Sequence, residues 1–236
     1  EEFRFNKDKN PFSICLNDGT EIFFSGSIDR VDECNDGETK YLRIIDYKSS
    51  NKDFDPSKLY YGIQLQLLIY MSVALNVYKG SLPAGTFYFY IHLPWIENKN
   101  KDAREELRMS GLVLKNKDAI KLMDNDTTNP LNTKSLLLKE TSKSKKSNDS
   151  TQSDDKIFRA NASLLTEEEF EKLMAHTLDR AKYFASQINE GNIEIMPLNE
   201  DGKLPCEYCD YSKNCMVDGN KKDLQKIRFS ELLEKI

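Results

Sequence analysis

The sequence predicts an α/β fold, a mixed central sheet flanked by helices, from two strand-like stretches followed by a helix and then another strand. GSIDRVD (Gly26 to Asp32) and YLRIIDYKSS (Tyr41 to Ser50) read as strands, and the turn between them carries Asp36-Gly37, a strong hairpin signal. The next segment, YYGIQLQLLIYMSVALN (Tyr60 to Asn76), repeats Leu65, Leu68, Ile69, Ser72 and Val73 at helical spacing, with no glycine or proline after Gly62. AGTFYFYIHLP (Ala84 to Pro94) alternates Phe87, Phe89 and Ile91 and is expected near the centre of the sheet.

The remaining elements follow in chain order. Phe12, Ile14 and Leu16 alternate as a strand that also carries Cys15. SGLVLKNKDAIKLMD (Ser110 to Asp124) predicts a strand and then a short helix. KETSKSKKSNDSTQSDDK (Lys139 to Lys156) has no apolar period and cannot bury enough surface to offset its ordering entropy, so a disordered loop is expected there. Lys143, Lys145 and Lys146 are then expected to lie in a solvated loop rather than on a nucleic acid. Thr166 with Glu169 forms a capping box that opens a helix running through Phe170, Leu173, Leu178, Tyr183 and Phe184 toward Glu190-Gly191. The tail from Asn220 to Ile236 is amphipathic through Leu224, Ile227, Leu232 and Leu233, suited to packing on this core or on a neighbour.

A chain of 236 residues suits one domain with an elaboration. The expected organisation is a single domain over 1–236, an insertion over 97–160 with its disordered part at 139–156, and a cysteine-bearing loop over 203–218. No signal peptide or transmembrane run is visible, so membrane partners are not expected and a cytoplasmic location is. The net charge of −5 is unusual for a protein that must neutralise phosphates. A metal ion inverts the sign of an acidic site locally. No G-x-x-x-x-G-K-[ST] motif is present, so ATP hydrolysis is not expected of this chain.

The chemistry concentrates on Asp29, Asp46 and Lys48. Residues two apart on a strand share a face, so Asp46 and Lys48 project together while Tyr47 points away. Ile44-Ile45 places Asp46 at the end of a buried strand. Two carboxylates suit Mg²⁺ (or Mn²⁺), a hard ion that prefers oxygen and usually takes one or two carboxylates. Lys48 is then placed to orient the attacking water or stabilise charge on a phosphate. Gln66 and Tyr70, four apart on the helix, can reach the same point.

A second centre lies in PCEYCDYSKNC (Pro205 to Cys215), where Cys206, Cys209 and Cys215 form C-x₂-C-x₅-C. This spacing reads as a metal site, zinc or a [4Fe–4S] cluster, that needs a fourth ligand. Cys15 and Cys34 are the only other cysteines and read as small buried apolar residues.

With Asp46-Tyr47-Lys48 as its second motif, G-x-I-D at Gly26–Asp29 and Q-L-x-x-Y on the helix, the chain resembles the RecB-type branch of the PD-(D/E)xK nuclease superfamily. With the cysteine run added, it is similar to the B-subunit family of AddAB-type ATP-dependent helicase–nucleases, over nearly its whole length. The resemblance implies a restriction-endonuclease-like fold and a metal-dependent deoxyribonuclease, of exonuclease type, that processes broken DNA ends beside a helicase partner subunit. It implies Asp29, Asp46 and the Tyr47 carbonyl as metal ligands, with Lys48, Gln66 and Tyr70 completing the catalytic set and Gln64 a secondary candidate. It implies an iron–sulfur cluster on Cys206, Cys209 and Cys215 together with a fourth cysteine ahead of the core. No cysteine precedes the core here, so a C-terminal piece of a longer protein, with the cluster incomplete, is expected.

Family members often carry an upstream His or Glu as a further ligand. Neither His92 nor His176 lies upstream of Asp29, so both are expected to be structural, and Glu1 or Glu2 is the available acid. A CRISPR-associated nuclease with the same core is the nearest alternative. A non-catalytic DNA-end clamp and a scaffold that docks a helicase subunit are the alternatives outside enzymes.

Overall fold

The computed structural model describes residues 2–50, 52–91, 109–123, 164–215 and 221–236. The stretch predicted to be disordered, Lys139 to Lys156, lies outside the described residues, as do His92 and most of the 97–160 insertion. The chain opens with four short strands, β1 (Phe3–Phe5), β2 (Ser13–Cys15), β3 (Glu21–Phe23) and β4 (Gly26–Ile28). They pair antiparallel as β1 with β4 and β2 with β3, outside the main sheet. Next come β5 (Arg30–Asn35), β6 (Lys40–Lys48), α1 (Pro56–Tyr60), α2 (Gln66–Val77), β7 (Ser81–Tyr90), β8 (Ser110–Leu114), α3 (Lys117–Met123) and β9 (Leu164–Leu165). Then follow α4 (Glu167–Asn189), β10 (Leu198–Asn199), a 3₁₀ turn at Pro205–Tyr208, α5 (Ser212–Cys215), β11 (Lys222–Asp223) and α6 (Phe229–Lys235).

The central sheet has the order β5-β6-β7-β8-β9 and is mixed, as predicted. β5 and β6 form the expected hairpin, closed by an Asp36 N–H to Thr39 carbonyl bond of 3.2 Å. Asp36 Oδ1 also accepts from the N–H groups of Glu38 and Thr39, so the aspartate of the Asp-Gly pair builds the turn. β6 and β7 run parallel across the α2 crossover, and β8 returns antiparallel to β7. Pro83 lies where the β6–β7 register slips between Leu42 and Arg43, a bulge that tolerates its missing N–H. β8 packs so closely on β7 that a Cβ at Gly111 would meet the Thr86 carbonyl oxygen at 2.0 Å.

β6 and β7 are buried on both faces. Leu42, Ile44 and Leu112 join the core under α2, α4 and α6, whereas Ile45, Phe87 and Val113 pack with Ile120 of α3. The predicted Phe87–Phe89–Ile91 stripe therefore covers one side only, and Ile91, just past the strand, is exposed. The strand's other side carries Thr86 and Tyr88, both buried.

The helix expected over Tyr60 to Asn76 starts only at Gln66, because the chain first closes the short α1 and turns at Gly62. Asp55 caps α1, accepting from Ser57 N at 2.8 Å, with Pro56 in the first turn. Gly62, at φ +84°, then turns the chain out of α1 before α2 starts. Thr166 and Glu169 make the predicted capping box of α4, and three glutamates in its first turn complement the helix dipole. Thr86 Oγ1 donates to the Leu67 carbonyl at 3.2 Å, pinning α2 to the sheet.

Of the two places open to the C-terminal tail, it packs on this core. Leu232 is fully buried, Ile227 is nearly so, and the Ile227 N–H donates to the buried Ser57 Oγ at 2.8 Å. Leu232→Ala is expected to lower stability by about 2–5 kcal/mol, the range for deleting a buried leucine side chain. Urea unfolding followed by circular dichroism measures it, and an unchanged midpoint would show that the tail does not contribute to the core.

Candidate active site

The predicted strand from Gly26 to Asp32 is broken at Asp29. Backbone before it pairs with β1 and backbone after it pairs with β6, so the chain bends at the change of partner. The bend leaves the Tyr47 N–H without a backbone acceptor from β5, and the Asp29 carboxylate takes its place, Oδ2 accepting from Tyr47 N at 2.8 Å. Asp29 is thereby fixed to the backbone of the residue between Asp46 and Lys48, with its side chain open to solvent.

Asp46 lies near the carboxyl end of β6 on the α2 side and is only 3% exposed. Its neighbour in the parallel register is Tyr88 of β7. Lys48, two residues on, shares this side, and its ammonium forms an ion pair with Asp46 Oδ2, which has no other partner among the described residues. Lys48 Nζ also donates to Gln66 Oε1 at 3.0 Å, and Gln66 Nε2 donates to the Tyr70 hydroxyl at 2.9 Å. The four side chains form one continuous relay from strand to helix, with the Tyr70 ring set edge-on against Phe5 at 5.9 Å. Tyr47 points the other way, as alternation requires, and its exposed ring meets Phe89 edge-on.

Burial pushes the Asp46 carboxyl above the ordinary aspartate range, and the nearby Asp29 charge adds to that push. Lys48 and, more weakly, Lys52 oppose it without reversing it. Asp46 is thus an under-compensated buried carboxylate beside a second carboxylate. That donor set suits a hard divalent cation, which would supply the missing positive charge.

Gln64, the secondary candidate, is occupied elsewhere. It is buried, accepts from Asp55 N at 2.9 Å and donates to the Asp53 carbonyl at 3.1 Å, so it shapes the loop after β6. Glu2 is bound by Ser27 Oγ at 2.8 Å and by Arg4, and Glu1 lies outside the described residues. His176 stacks on Tyr60 at 5.9 Å, away from Asp46, and burial pushes its imidazole below the usual range. Cys34 is partly buried, and that burial pushes its thiol up, but Cys15 is exposed, contrary to expectation, because β2 lies on a two-stranded ribbon outside the core.

The cysteine run forms the 3₁₀ turn and α5, with Cys209 exposed and Cys206 and Cys215 half-buried. Among the described residues no three His, Cys, Asp or Glu side chains gather as a metal cluster would need.

Two neighbours of Asp46 escaped the sequence reading. Tyr88 reads as one more core aromatic, yet its hydroxyl is buried without a partner among the described residues, and burial together with Asp46 pushes it well above the ordinary tyrosine range. Lys52 sits in a polar run that reads as loop, yet its Nζ lies 4.8 Å from the centre of the Tyr88 ring. No short-range period links either residue to Asp46.

A mixed sheet with paired acids and a lysine at the end of an interior strand is an architecture that nuclease cores use. The chain belongs to the PD-(D/E)XK nuclease superfamily, whose family model matches residues 1–216. It is similar to the B subunit of the ATP-dependent helicase/deoxyribonuclease of Alkaliphilus oremlandii, 34% identical over 252 residues, covering 99% of this chain and 21% of that protein. The corresponding protein of Clostridium perfringens is 35% identical over 94% of this chain and 19% of its own length, and that of Bacillus mycoides 34% over 96% and 20%. The chain spans about a fifth of the length of these relatives.

A carboxyl raised by burial favours folding while protonated and costs stability as pH rises through its folded value. Without metal, Asp46→Asn is therefore expected to raise the melting temperature at pH 7. The advantage should shrink as pH falls toward the ordinary aspartate range. Calorimetric melts between pH 3 and 8 test this, and a variant less stable than wild type at neutral pH would contradict the raised carboxyl.

Proposed function

We propose that the chain is a metal-dependent deoxyribonuclease domain that hydrolyses DNA phosphodiester bonds as an exonuclease, from Asp29, Asp46, Lys48, Gln66 and Tyr70. The observation that carries this reading is the buried Asp46 joined through Lys48 and Gln66 to Tyr70. Asp29 and Asp46, with the Tyr47 carbonyl, are the groups to hold Mg²⁺ or Mn²⁺. A divalent ion bound there supplies Lewis acidity and lowers the pKa of bound water.

The chain's own residues do the rest. Lys48 presents a charge-assisted donor beside the reacting phosphate, where it orients the attacking water and stabilises developing negative charge. Gln66 accepts from Lys48 and so fixes the ammonium's direction, while Tyr70 holds the Gln66 amide in the orientation that leaves its oxygen facing Lys48. Burial of the relay against Phe5 and the α2 core keeps it rigid.

The relatives are B subunits of an ATP-dependent helicase/deoxyribonuclease. The proposed setting is accordingly a cytoplasmic helicase–nuclease assembly acting in recombinational repair, with a helicase partner subunit feeding a DNA strand to this domain. Among the described residues no helix is long and apolar enough to cross a membrane. Cys206, Cys209 and Cys215 enter no step.

End-labelled single-stranded DNA incubated with Mg²⁺ or Mn²⁺ is expected to be cut by the wild-type chain. Asp46→Ala and Lys48→Ala should lose at least about 100-fold in rate, the lower range for a positioned proton-transfer or charge-stabilising group. Calorimetry should show the divalent ion binding to wild type and Lys48→Ala but not to Asp46→Ala. Equal cleavage by Asp46→Ala would overturn the site assignment, and a wild-type chain that neither cuts DNA nor binds metal would overturn the nuclease reading.

A further inference from the structure

We infer that Lys52 is a phosphate-binding residue of this site, holding a non-bridging oxygen of the DNA strand next to the linkage that is cut. The inference rests on the nuclease reading and deepens it. Lys52 lies outside the D-x-K pair, in the loop that leaves β6. Its ammonium and that of Lys48 stand over the same ring, 4.8 and 5.6 Å from the centre of Tyr88. Tyr88 is 2% exposed in the central strand of the sheet, so its ring is a platform shared by both charges.

The two lysines differ in their commitments. Lys48 is paired with Asp46 and Gln66, and the nearby Lys58 is paired with Glu200 at 2.7 Å. Lys52 makes no hydrogen bond or ion pair among the described residues. The charged groups around it are Lys48, Lys58 and Asp46, two cations against one carboxylate. A half-buried ammonium among cations is costly to hold, and an anion placed beside it relieves that cost. The Tyr88 hydroxyl, buried beside Asp46 with no partner among the described residues, is a further unsatisfied polar atom in the same place.

The loop that carries Lys52 is tied down immediately after it. The residues after it are tied by three bonds: the Asp53 carbonyl accepts from Gln64 Nε2 at 3.1 Å, Asp55 N donates to Gln64 Oε1 at 2.9 Å, and Phe54 N donates to Ser110 Oγ at 3.1 Å. The buried Gln64 therefore acts as the brace for the lysine's loop. A compact point charge on a braced loop suits a phosphodiester monoanion, which offers single oxygens rather than a planar carboxylate.

The test uses single-stranded DNA carrying one neutral methylphosphonate at each linkage flanking the cut, with the wild-type chain, Lys52→Met and Lys52→Arg in Mg²⁺. Lys52→Met is expected to raise KM about tenfold, the scale of one hydrogen bond to a charged group, with kcat unchanged. One neutral linkage should raise the wild-type KM by a similar factor and add nothing in Lys52→Met, and Lys52→Arg should restore most of the affinity. A purely structural lysine would not single out one linkage. With wild type active, an unchanged KM in Lys52→Met, or a neutral linkage that costs the same in both proteins at every position, overturns the inference alone. A wild-type chain without cleavage overturns the nuclease reading, and the inference falls with it.

Discussion

The site depends on a carboxylate that burial disfavours. Asp46 follows Ile44 and Ile45 at the end of a strand buried on both faces, and at 3% exposure it cannot be solvated. Its one ionic partner, Lys48, does not fully offset that burial. Much of the surrounding structure follows from holding this group where it is: a lysine two residues on, a glutamine to aim the lysine, and a tyrosine to aim the glutamine. A residual deficit of positive charge at Asp46 is what makes the position receptive to a cation.

The sheet and α2 supply the rigidity that this deficit requires. Parallel pairing of β6 with β7 places the ends of both strands at one edge, and the Thr86 hydroxyl anchors α2 across them. Two glutamines of one short sequence divide the work. Gln66 opens α2 and faces the site, whereas Gln64 precedes the helix, is buried, and braces the loop that carries Lys52. The four-residue spacing to Tyr70 favours Gln66, and Gln64 takes its separate duty because the chain is still turning there.

What was legible came from short-range periodicity. Alternation along β6 placed Asp46 and Lys48 together and Tyr47 opposite, and the four-residue helical repeat placed Gln66 beside Tyr70. Thr166 and Glu169 announced α4, and Asp36-Gly37 announced the hairpin turn. Failures occurred where partners are distant in sequence. The bend at Asp29 exists because β4 and β5 pair with different strands, which no local signal records. Cys15 is exposed because its ribbon lies off the core. Tyr88 and Lys52 meet at the site only because β7 lies parallel to β6.

Residue types and their spacing by themselves determined the α/β class, the hairpin, the helix caps and the acid–lysine pair, since each depends on backbone periods or bonds spanning only a few residues. Tertiary structure alone decided that Asp29 reaches the Tyr47 N–H, that Gln64 is a brace, that the tail packs on Ser57, and that Lys52 shares a ring with Lys48. Each of those is a contact between segments whose approach is set by sheet order and by the packing of α2 and α6, and such approaches leave no period in the chain.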